Sequence, residues 1–212
     1  LLSFTVTASA GGHGSVDPNG VLTLAYGSSQ LFTAAPDEGY TVDSWSIDGT
    51  EVQSGGLTYA LENITADHTV AVSFKLLSFT VTASAGGHGS VDPNGVLTLA
   101  YGSSQLFTAV PDAGYTVDVW TVDGTEVQSG GLTYTLENIT ADHVVAVSFK
   151  PLTFTVTASA GDYGFIDPNG VLTLEYGSSQ LFTAAPDEGY TVDAWSVDGE
   201  AVQSGGLTYA LE

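Results

Sequence analysis

The chain has 212 residues with 24 acidic and only 2 basic side chains, which gives a formal net charge of −22. Because there is almost no lysine or arginine to neutralise phosphates, this charge excludes nucleic acid as a main partner and disfavours anionic membrane surfaces. Cysteine is absent, which excludes disulfides and thiolate metal sites, and no apolar run is long enough for a membrane span, so no membrane insertion is expected.

Strand patterns follow one another along the first 75 residues, and no segment has the 3.6-residue period of an amphipathic helix. Residues 3–10 alternate apolar and small polar side chains, which predicts a half-buried strand. Between Val42 and Trp45 the apolar positions change parity, which predicts a β-bulge. The predicted strands, separated by glycine-, proline- and aspartate-rich turns, are 3–10, 15–16, 21–26, 30–35, 40–47, 51–53, 57–61 and 70–74.

The sequence repeats itself with an offset of 75 residues. Residues 1–75 and 76–150 differ only at positions 35, 38, 44, 46, 47, 60 and 69 of the first copy. The third copy ends at Glu212 and has no counterpart of residues 63–75, which include the strand 70–74. We therefore predict three domains, 1–75, 76–150 and 151–212, the last lacking its C-terminal strand. The predicted fold class is all-β, a tandem array of small β-grasp-like or sandwich-like domains without significant helix.

The apolar side chains of one copy are numerous enough for a single modest core. Trp45, Trp120 and Trp195 are predicted to belong to these cores rather than to a ligand-binding surface. Tyr163 and Phe165 replace a histidine and a serine of a turn, so they are expected to face solvent or a neighbour. The predicted core of the first copy is Phe4, Val6, Leu22, Leu24, Phe32, Val42, Trp45, Ile47, Leu57, Tyr59, Leu61, Val70, Val72 and Phe74.

Four segments of the first copy form a combined pattern that recurs in the later copies as far as each extends. They are FTVTASA at 4–10, YGSSQ at 26–30, PDEGYTVDSW at 36–45 and NITADH at 63–68. This pattern resembles the divergent internalin-type B-repeat family of prokaryotic surface proteins. The resemblance covers the whole chain and implies a compact β module strung in tandem on secreted or cell-surface proteins. It supplies no catalytic residue.

No catalytic site is predicted, because the four histidines fall in predicted turns and no hydrolase, metalloprotease or phosphate-loop motif is present. Calcium is a more serious candidate than catalysis, since carboxylates are the ligands that this hard cation prefers. Aspartate at such positions also serves ordinary turns and hairpins, so no cofactor is assigned and the metal is left open. The weak calcium candidates are Asp37, Glu38, Asp43 and Asp48.

Asparagine and lysine residues lead to two further predictions. Asn63 and Asn138 begin N-x-[ST] sequons just before a turn and are candidate glycosylation sites. Lys75 and Lys150 lie at the joins between copies, where each is expected to offset neighbouring acidic side chains.

These patterns favour a non-enzymatic extracellular or cell-surface structural protein: a stalk, a fibre or a filament subunit. The third copy should leave an apolar edge at Leu207, Tyr209 and Leu211, because the strand that completes the other copies is missing there. Either the continuing polypeptide or a neighbouring chain would supply that strand, and the second case would give head-to-tail self-association into a filament or fibre. The alternative function is an adhesin or glycan-binding surface module that uses exposed aromatic side chains.

Overall fold

Strands form where apolar and polar residues alternate in the sequence. The computed structural model, which describes residues 2–212, contains no helix in that range. The chain divides into two compact units. The first holds the chain up to Thr82 together with Val96–Leu106 and Thr135–His143, and the second holds Ala83–Gly95, Phe107–Tyr134 and Val144–Glu212. The all-β fold class is confirmed, while the three domain boundaries drawn from the repeat stay a prediction.

The first copy forms eight strands in two sheets, with the strand order 3-1-8-5-6 in the larger sheet and 2-4-7 in the smaller. The last strand in sequence lies in the middle of the larger sheet, parallel to the first strand and antiparallel to the fifth. The strands are β1 (Ser3–Ala10), β2 (Gly14–Asp17), β3 (Gly20–Ala25), β4 (Gln30–Pro36), β5 (Tyr40–Ile47), β6 (Thr50–Ser54), β7 (Thr58–Leu61) and β8 (His68–Leu76).

The two sheets of the first copy enclose one apolar core, as in a β-sandwich. β8 contributes Val70 and Val72, which are 1% and 2% exposed, so the prediction that this strand closes the core is confirmed. Burial of one face specifies the register of each strand, because a slip of one residue would turn the apolar side chains to solvent. The buried core residues are Val6, Ala8, Val16, Phe32, Ala34, Val42, Trp45, Leu61, Ile64, Val70 and Val72.

Two predicted details of β5 and β7 have different outcomes. The bulge is confirmed, because the pairing of β5 with β8 shifts register between Val42 and Ser44, which lets both Val42 and Trp45 face the core. The placement of Leu57 in the core is wrong, since its side chain is 56% exposed. β7 begins only at Thr58, after Leu57, and the inward positions of that strand are taken by Tyr59 and Leu61.

The second copy forms strands of the same lengths. Within the second unit, the second and fourth of these strands pair, and the fifth pairs with the sixth and the eighth. Val145 and Val147 of the eighth strand are 0% and 2% exposed, like their counterparts in β8. The strands are β9 (Ser78–Ala85), β10 (Gly89–Asp92), β11 (Gly95–Ala100), β12 (Gln105–Pro111), β13 (Tyr115–Val122), β14 (Thr125–Ser129), β15 (Thr133–Leu136) and β16 (His143–Pro151).

The third copy forms seven strands, and two of them are shorter than their counterparts in the first copy. β17 has six residues where β1 has eight, and β21 has four where β5 has eight. The strands are β17 (Thr153–Ala158), β18 (Gly164–Asp167), β19 (Gly170–Glu175), β20 (Gln180–Pro186), β21 (Ala194–Val197), β22 (Glu200–Ser204) and β23 (Thr208–Leu211).

Candidate functional site

The third copy is open at the position where the first copy holds β8. β17 and β21 are the counterparts of β1 and β5, and in the first copy both of those strands pair with β8. In the third copy they lie in separate two-stranded sheets, β17-β19 and β21-β22. We call the space between β17 and β21 the strand slot.

The strand slot is a cavity of about 730 Å³ with an apolar floor. Trp195 on this floor is 9% exposed, whereas Trp45, its counterpart under β8, is 0% exposed. An apolar groove between two unpaired strand edges is suited to an extended peptide segment, because backbone hydrogen bonds and side-chain burial are both available to it. The apolar lining comes from all three sheets of the third copy and includes Val156, Ala158, Phe182, Trp195, Tyr209 and Leu211.

Exposed aromatic side chains stand at the same side of the third copy. Tyr163 and Phe165, which line the slot, are 59% and 63% exposed, so the prediction that they face solvent is confirmed. The ring of Tyr163 stacks on Tyr190 at a centroid distance of 4.3 Å. In the first copy the corresponding pair is His13 on Tyr40, at 4.1 Å.

The structure places the three residues predicted as an assembly edge in different surroundings. Tyr209 and Leu211 line the strand slot, but Leu207 does not. Leu207 is 59% exposed, and its carbonyl oxygen accepts a hydrogen bond from the Ala184 amide at 2.8 Å. β23 itself pairs with β20, whereas β17 and β21 are the strands that lack the partner their counterparts β1 and β5 have in the first copy.

A second feature joins successive copies inside the first unit. The amide of Leu77 donates to the Gly39 carbonyl at 2.7 Å, and the amide of Tyr101 donates to the Leu77 carbonyl at 2.8 Å. The Tyr101 ring covers Gly39 so closely that a Cβ there would lie 2.5 Å from Tyr101 Cδ1. Gly39 also has a φ of +79°, so glycine is needed both for the backbone conformation and for the close approach. We call this arrangement the junction contact.

The junction contact recurs inside the second unit with one difference. Leu152 donates to the Gly114 carbonyl and Tyr176 donates to the Leu152 carbonyl, both at 2.8 Å, and a Cβ on Gly114 would lie 2.6 Å from Tyr176 Cδ1. At the first junction the Tyr101 hydroxyl also donates to Glu38 Oε1 at 2.7 Å. Ala113 occupies the position of Glu38 in the second copy, so the second junction has no such carboxylate.

The junction contact was not predicted from the sequence. A signal was nevertheless present, since tyrosine precedes the Gly-Ser-Ser turn in every copy and the Pro-Asp-x-Gly turn recurs with it. However, the contact joins the Pro-Asp-x-Gly turn of one copy to the tyrosine before the Gly-Ser-Ser turn of the next copy. That pairing depends on where the two turns lie in space.

The recurring geometry agrees with a family match. The model of the divergent InlB B-repeat domain matches residues 4–77, 79–153 and 154–210. The chain belongs to this family. No curated protein and no solved structure matches the chain.

Membership confirms the resemblance on which the sequence prediction rested. B-repeats are a non-enzymatic structural or surface type of domain, which is consistent with a structural or surface repeat role for this chain. They typically belong to surface proteins, which suggests an extracellular or cell-surface location. Across residues 2–212 no helix has the length and hydropathy needed to span a membrane.

The carboxylates considered as calcium ligands in the first B-repeat do not converge. Asp43 pairs with Lys75 at 3.2 Å, and its counterpart Asp118 pairs with Lys150 at 3.1 Å, as expected for lysines that offset neighbouring acids. Glu38 takes part in the junction contact. In the described part of the chain, no three aspartate, glutamate or histidine side chains are grouped so that they could hold a metal ion.

One histidine that was predicted to lie in a turn belongs to a strand. His68 is the first residue of β8, and its Nδ1 lies 2.7 Å from Asp48 Oδ2.

Both sequon asparagines lie at the surface. Asn63 and Asn138 are exposed and adopt the left-handed conformation, with φ of +50° and +51°. Their glycosylation stays a prediction.

Asp48 lies in the turn between β5 and β6 and forms hydrogen bonds with the start of β8. Its Oδ1 accepts a hydrogen bond from the Thr69 amide at 2.8 Å. This bond, followed by the one from the His68 side chain, holds the pKa of Asp48 below its ordinary value of 3.8. A carboxylate with a lowered pKa in the folded state stabilises the fold above pH 3.8, and the contribution disappears as the pH falls through the folded-state pKa.

Replacing Asp48 with asparagine is therefore expected to lower the urea midpoint of unfolding at pH 7. Asparagine keeps the left-handed turn that position 48 adopts, with φ of +50°, so the change tests the charge rather than the backbone. The difference from the unmodified chain should shrink below pH 3.8. Asp198→Asn in the third B-repeat is the matched control, because Asp198 lines the strand slot and has no β8 beside it, and it should leave the midpoint unchanged. Equal losses for both variants would contradict this role of Asp48.

Removing the Tyr101 hydroxyl is expected to weaken only the first junction. Its hydrogen bond to Glu38 raises the pKa of Tyr101 above 10.0, so the bond stabilises the fold below pH 10 and is lost as the pH rises through the folded-state pKa. Tyr101→Phe should lower the thermal midpoint at pH 7, and the deficit should vanish at alkaline pH. Tyr176→Phe, which has Ala113 opposite, should have no such effect. A deficit of the same size in both variants would show that the carboxylate does not matter.

Proposed function

We propose that this chain is a structural segment of an extracellular or cell-surface protein, serving as a stalk, a fibre or a filament subunit. The observation that carries the proposal is the junction contact. The same glycine, leucine and tyrosine positions tie one B-repeat to the next at two successive joins, through backbone hydrogen bonds as well as side-chain packing. A linker-free join of this kind resists bending, which a load-bearing or spacing element requires.

The composition supports the same role. Near-identical repeats provide length without diversified binding surfaces, since only seven positions distinguish the first two copies. The absence of cysteine and methionine removes the side chains most readily oxidised outside the cell. The charge of −22 keeps neighbouring chains apart unless a specific contact brings them together.

Head-to-tail self-association into a filament is part of the proposal. The strand slot, a cavity of about 730 Å³, is suited to a further strand, which either the continuing polypeptide or a neighbouring chain would supply. A contact between unlike ends of identical molecules forms a ring only if the rotation from one molecule to the next closes the circle. If it does not, the contact repeats and gives an open filament.

Immunoelectron microscopy of the producing cells tests this function. Antibody raised against the chain should label surface filaments or stalks whose axial period corresponds to one B-repeat. Label confined to the cell interior, or to surface particles without a regular axial period, would refute the structural role. A matched antiserum depleted on the purified chain serves as the control for specificity.

A glycan-binding surface module is the second candidate, and the exposed aromatics of the third B-repeat favour it. Tyr163 and Phe165 present their rings to solvent, and aromatic faces are the surfaces on which sugar rings stack. Tyr163→His and Phe165→Ser restore the residues of the first copy. If the unmodified chain binds saturably on a glycan array and this double variant does not, the adhesin function is supported instead.

A further inference from the structure

The third strand of the first B-repeat is an edge strand without charge. The order of the larger sheet is 3-1-8-5-6, so β3 has a neighbouring strand on one side only. Its six residues are all uncharged, whereas the other edge strands β2, β6 and β7 are shorter, and two of them contain Asp17 and Glu51. Edge strands are ordinarily protected by charge, proline or short length, so an uncharged edge of this length is a template for a further strand.

The same strand recurs in the interior of the chain. β11 repeats the sequence of β3 with a complete copy before it, and its pattern of exposed and half-buried residues is identical. Val96 of β11 is 70% exposed, and Val21 of β3 is 71% exposed. A preceding repeat therefore does not bury this strand.

The backbone groups of β3 point alternately towards β1 and away from it. The Tyr26 amide, just after β3, donates to the Leu2 carbonyl at 2.9 Å, and β3 continues this antiparallel register with β1. Bonded and non-bonded pairs alternate in such a ladder. Leu24 and Leu22 therefore direct their backbone groups towards β1, and their neighbours in the strand direct theirs to the open side.

Val21, Thr23 and Ala25 are the residues whose backbone faces the open side. Their side chains are exposed, in alternation with the half-buried residues of the same strand. The Ala25 carbonyl accepts a hydrogen bond from the Ser28 amide at 3.1 Å in the turn that follows. The other N–H and C=O groups of these three residues point to the position of a further strand, and Thr23 is the centre of the set.

This edge is complementary to itself. When two copies of β3 run antiparallel with Thr23 opposite Thr23, each Thr23 amide can donate to the partner's Thr23 carbonyl, and each Ala25 amide can donate to the partner's Val21 carbonyl. Leu22 then lies opposite the partner's Leu24, on the face where both side chains are half-buried against the core. Threonine pairs and aliphatic pairs across two strands stabilise a sheet.

We propose that β3 and β11 are an interaction surface for a second copy of this chain, which adds its own β3 or β11 in antiparallel orientation. Because the two strands have the same sequence, they are interchangeable in this contact. Charge favours this place of contact: molecules with a net charge of −22 repel one another, and close approach costs least where neither surface is charged. The contact is lateral, and it goes beyond the head-to-tail association of the proposed function.

The third B-repeat carries a charge that opposes the same pairing. β19 differs from β3 only at its last residue, where the exposed Glu175 replaces Ala25. In the proposed register Glu175 would lie opposite a valine of the partner and add to the repulsion between the two chains. A charged side chain on an edge strand is a common protection against pairing. The second copy therefore pairs with β3 and β11 rather than with β19.

Analytical ultracentrifugation of the 212-residue chain tests the proposal. An ionic strength of about 1 M, where the Debye length is about 3 Å, screens the repulsion between chains. We expect reversible self-association that rises with protein concentration. The double variant Thr23→Pro and Thr98→Pro should associate at least about tenfold more weakly, because proline removes the outward N–H at the centre of the pair and leaves the bonds to β1 in place. A monomeric unmodified chain, or unchanged association of this variant, overturns the proposal.

A second set of variants repeats this test without proline. Ala25→Glu with Ala100→Glu gives β3 and β11 the residue that β19 already has, so the fold tolerates it, and self-association should weaken. Glu175→Ala, the reverse change, should strengthen self-association because it creates a third uncharged edge. Equal association of the unmodified chain and both of these variants would show that the edge is not the contact.

Cysteine substitution tests the register, since the chain has no cysteine of its own. Thr23→Cys with Thr98→Cys places the thiols of two molecules opposite one another, at the Cα separation of about 5.5 Å that a disulfide spans. In the control, Val21→Cys with Val96→Cys, the thiols lie about 13 Å apart along the strands. With oxidised glutathione, the first variant should form disulfide-linked dimers at least about tenfold faster than the control on non-reducing gels. Equal rates would overturn the proposed pairing.

Discussion

Replacing Trp45 with alanine is expected to lower the free energy of unfolding by about 3–5 kcal/mol, the usual loss for a fully buried aromatic side chain. Trp45 is 0% exposed, stacks on Tyr59 at 5.9 Å and donates from Nε1 to the Gly56 carbonyl at 3.0 Å. Alanine would leave a cavity between the two sheets and remove the hydrogen bond to the Gly56 carbonyl. Urea unfolding followed by far-ultraviolet circular dichroism measures the loss without depending on tryptophan fluorescence.

Trp195→Ala is the matched control for this prediction. The same ring, with the same hydrogen bond to Gly206, sits at the floor of the strand slot and is 9% exposed. Truncation there enlarges a cavity that is already open, so the loss of stability should be smaller than for Trp45. Equal losses at the two positions would mean that β8 adds little to the burial of Trp45.

Placing a charge in the middle of β8 is expected to have the second large effect. Val72 is 2% exposed and lies between β1 and β5, so Val72→Asp would bury an unpaired carboxylate at a cost of about 4 kcal/mol or more. β8 should then leave the sheet and open a slot like that of the third B-repeat. Loss of hydrogen-exchange protection along β8 and the adjoining residues of β1 and β5 measures this outcome.

The same substitution at an exposed valine shows whether burial is the cause. Val21 of β3 is 71% exposed, and Val21→Asp should change the free energy of unfolding by no more than about 0.5 kcal/mol. If Val72→Asp were as mild as this control, β8 could not be the strand that closes the core.

The strand boundaries were largely predictable from the sequence, because alternation reports which residues share a buried face. β1 and β5 begin and end where the pattern predicted, and the bulge near Val42 was visible as a change of parity. Leu57 was misplaced because its apolar side chain was counted in the strand that starts one residue later. Alternation cannot be read from a single apolar residue at a strand end, so the sequence does not indicate whether its side chain faces the core or the solvent.

The candidate site was only half predictable. Comparison of the copies showed that the third lacks a strand, but alternation does not say which strands are neighbours. The sequence therefore placed the groove for the missing strand near Leu207 to Leu211 without indicating the strands on either side of it, and in the first B-repeat the corresponding strand lies between the first and fifth strands. The junction contact was hidden for a similar reason: the covering of Gly39 by Tyr101 depends on three-dimensional proximity between residues 62 positions apart in the chain, for which the sequence offers only two recurring turns.

The central position of β8 also constrains how the chain acquires its fold. A B-repeat emerging from the ribosome or from an export channel cannot complete its larger sheet until its last strand appears, and such late, long-range pairing slows folding. Meanwhile its neighbours offer nearly the same strand, since residues 68–75 and 143–150 differ only at Thr69 and Val144. Each open repeat can therefore capture the wrong copy, and the order in which strands appear during synthesis becomes the main protection against exchange between repeats.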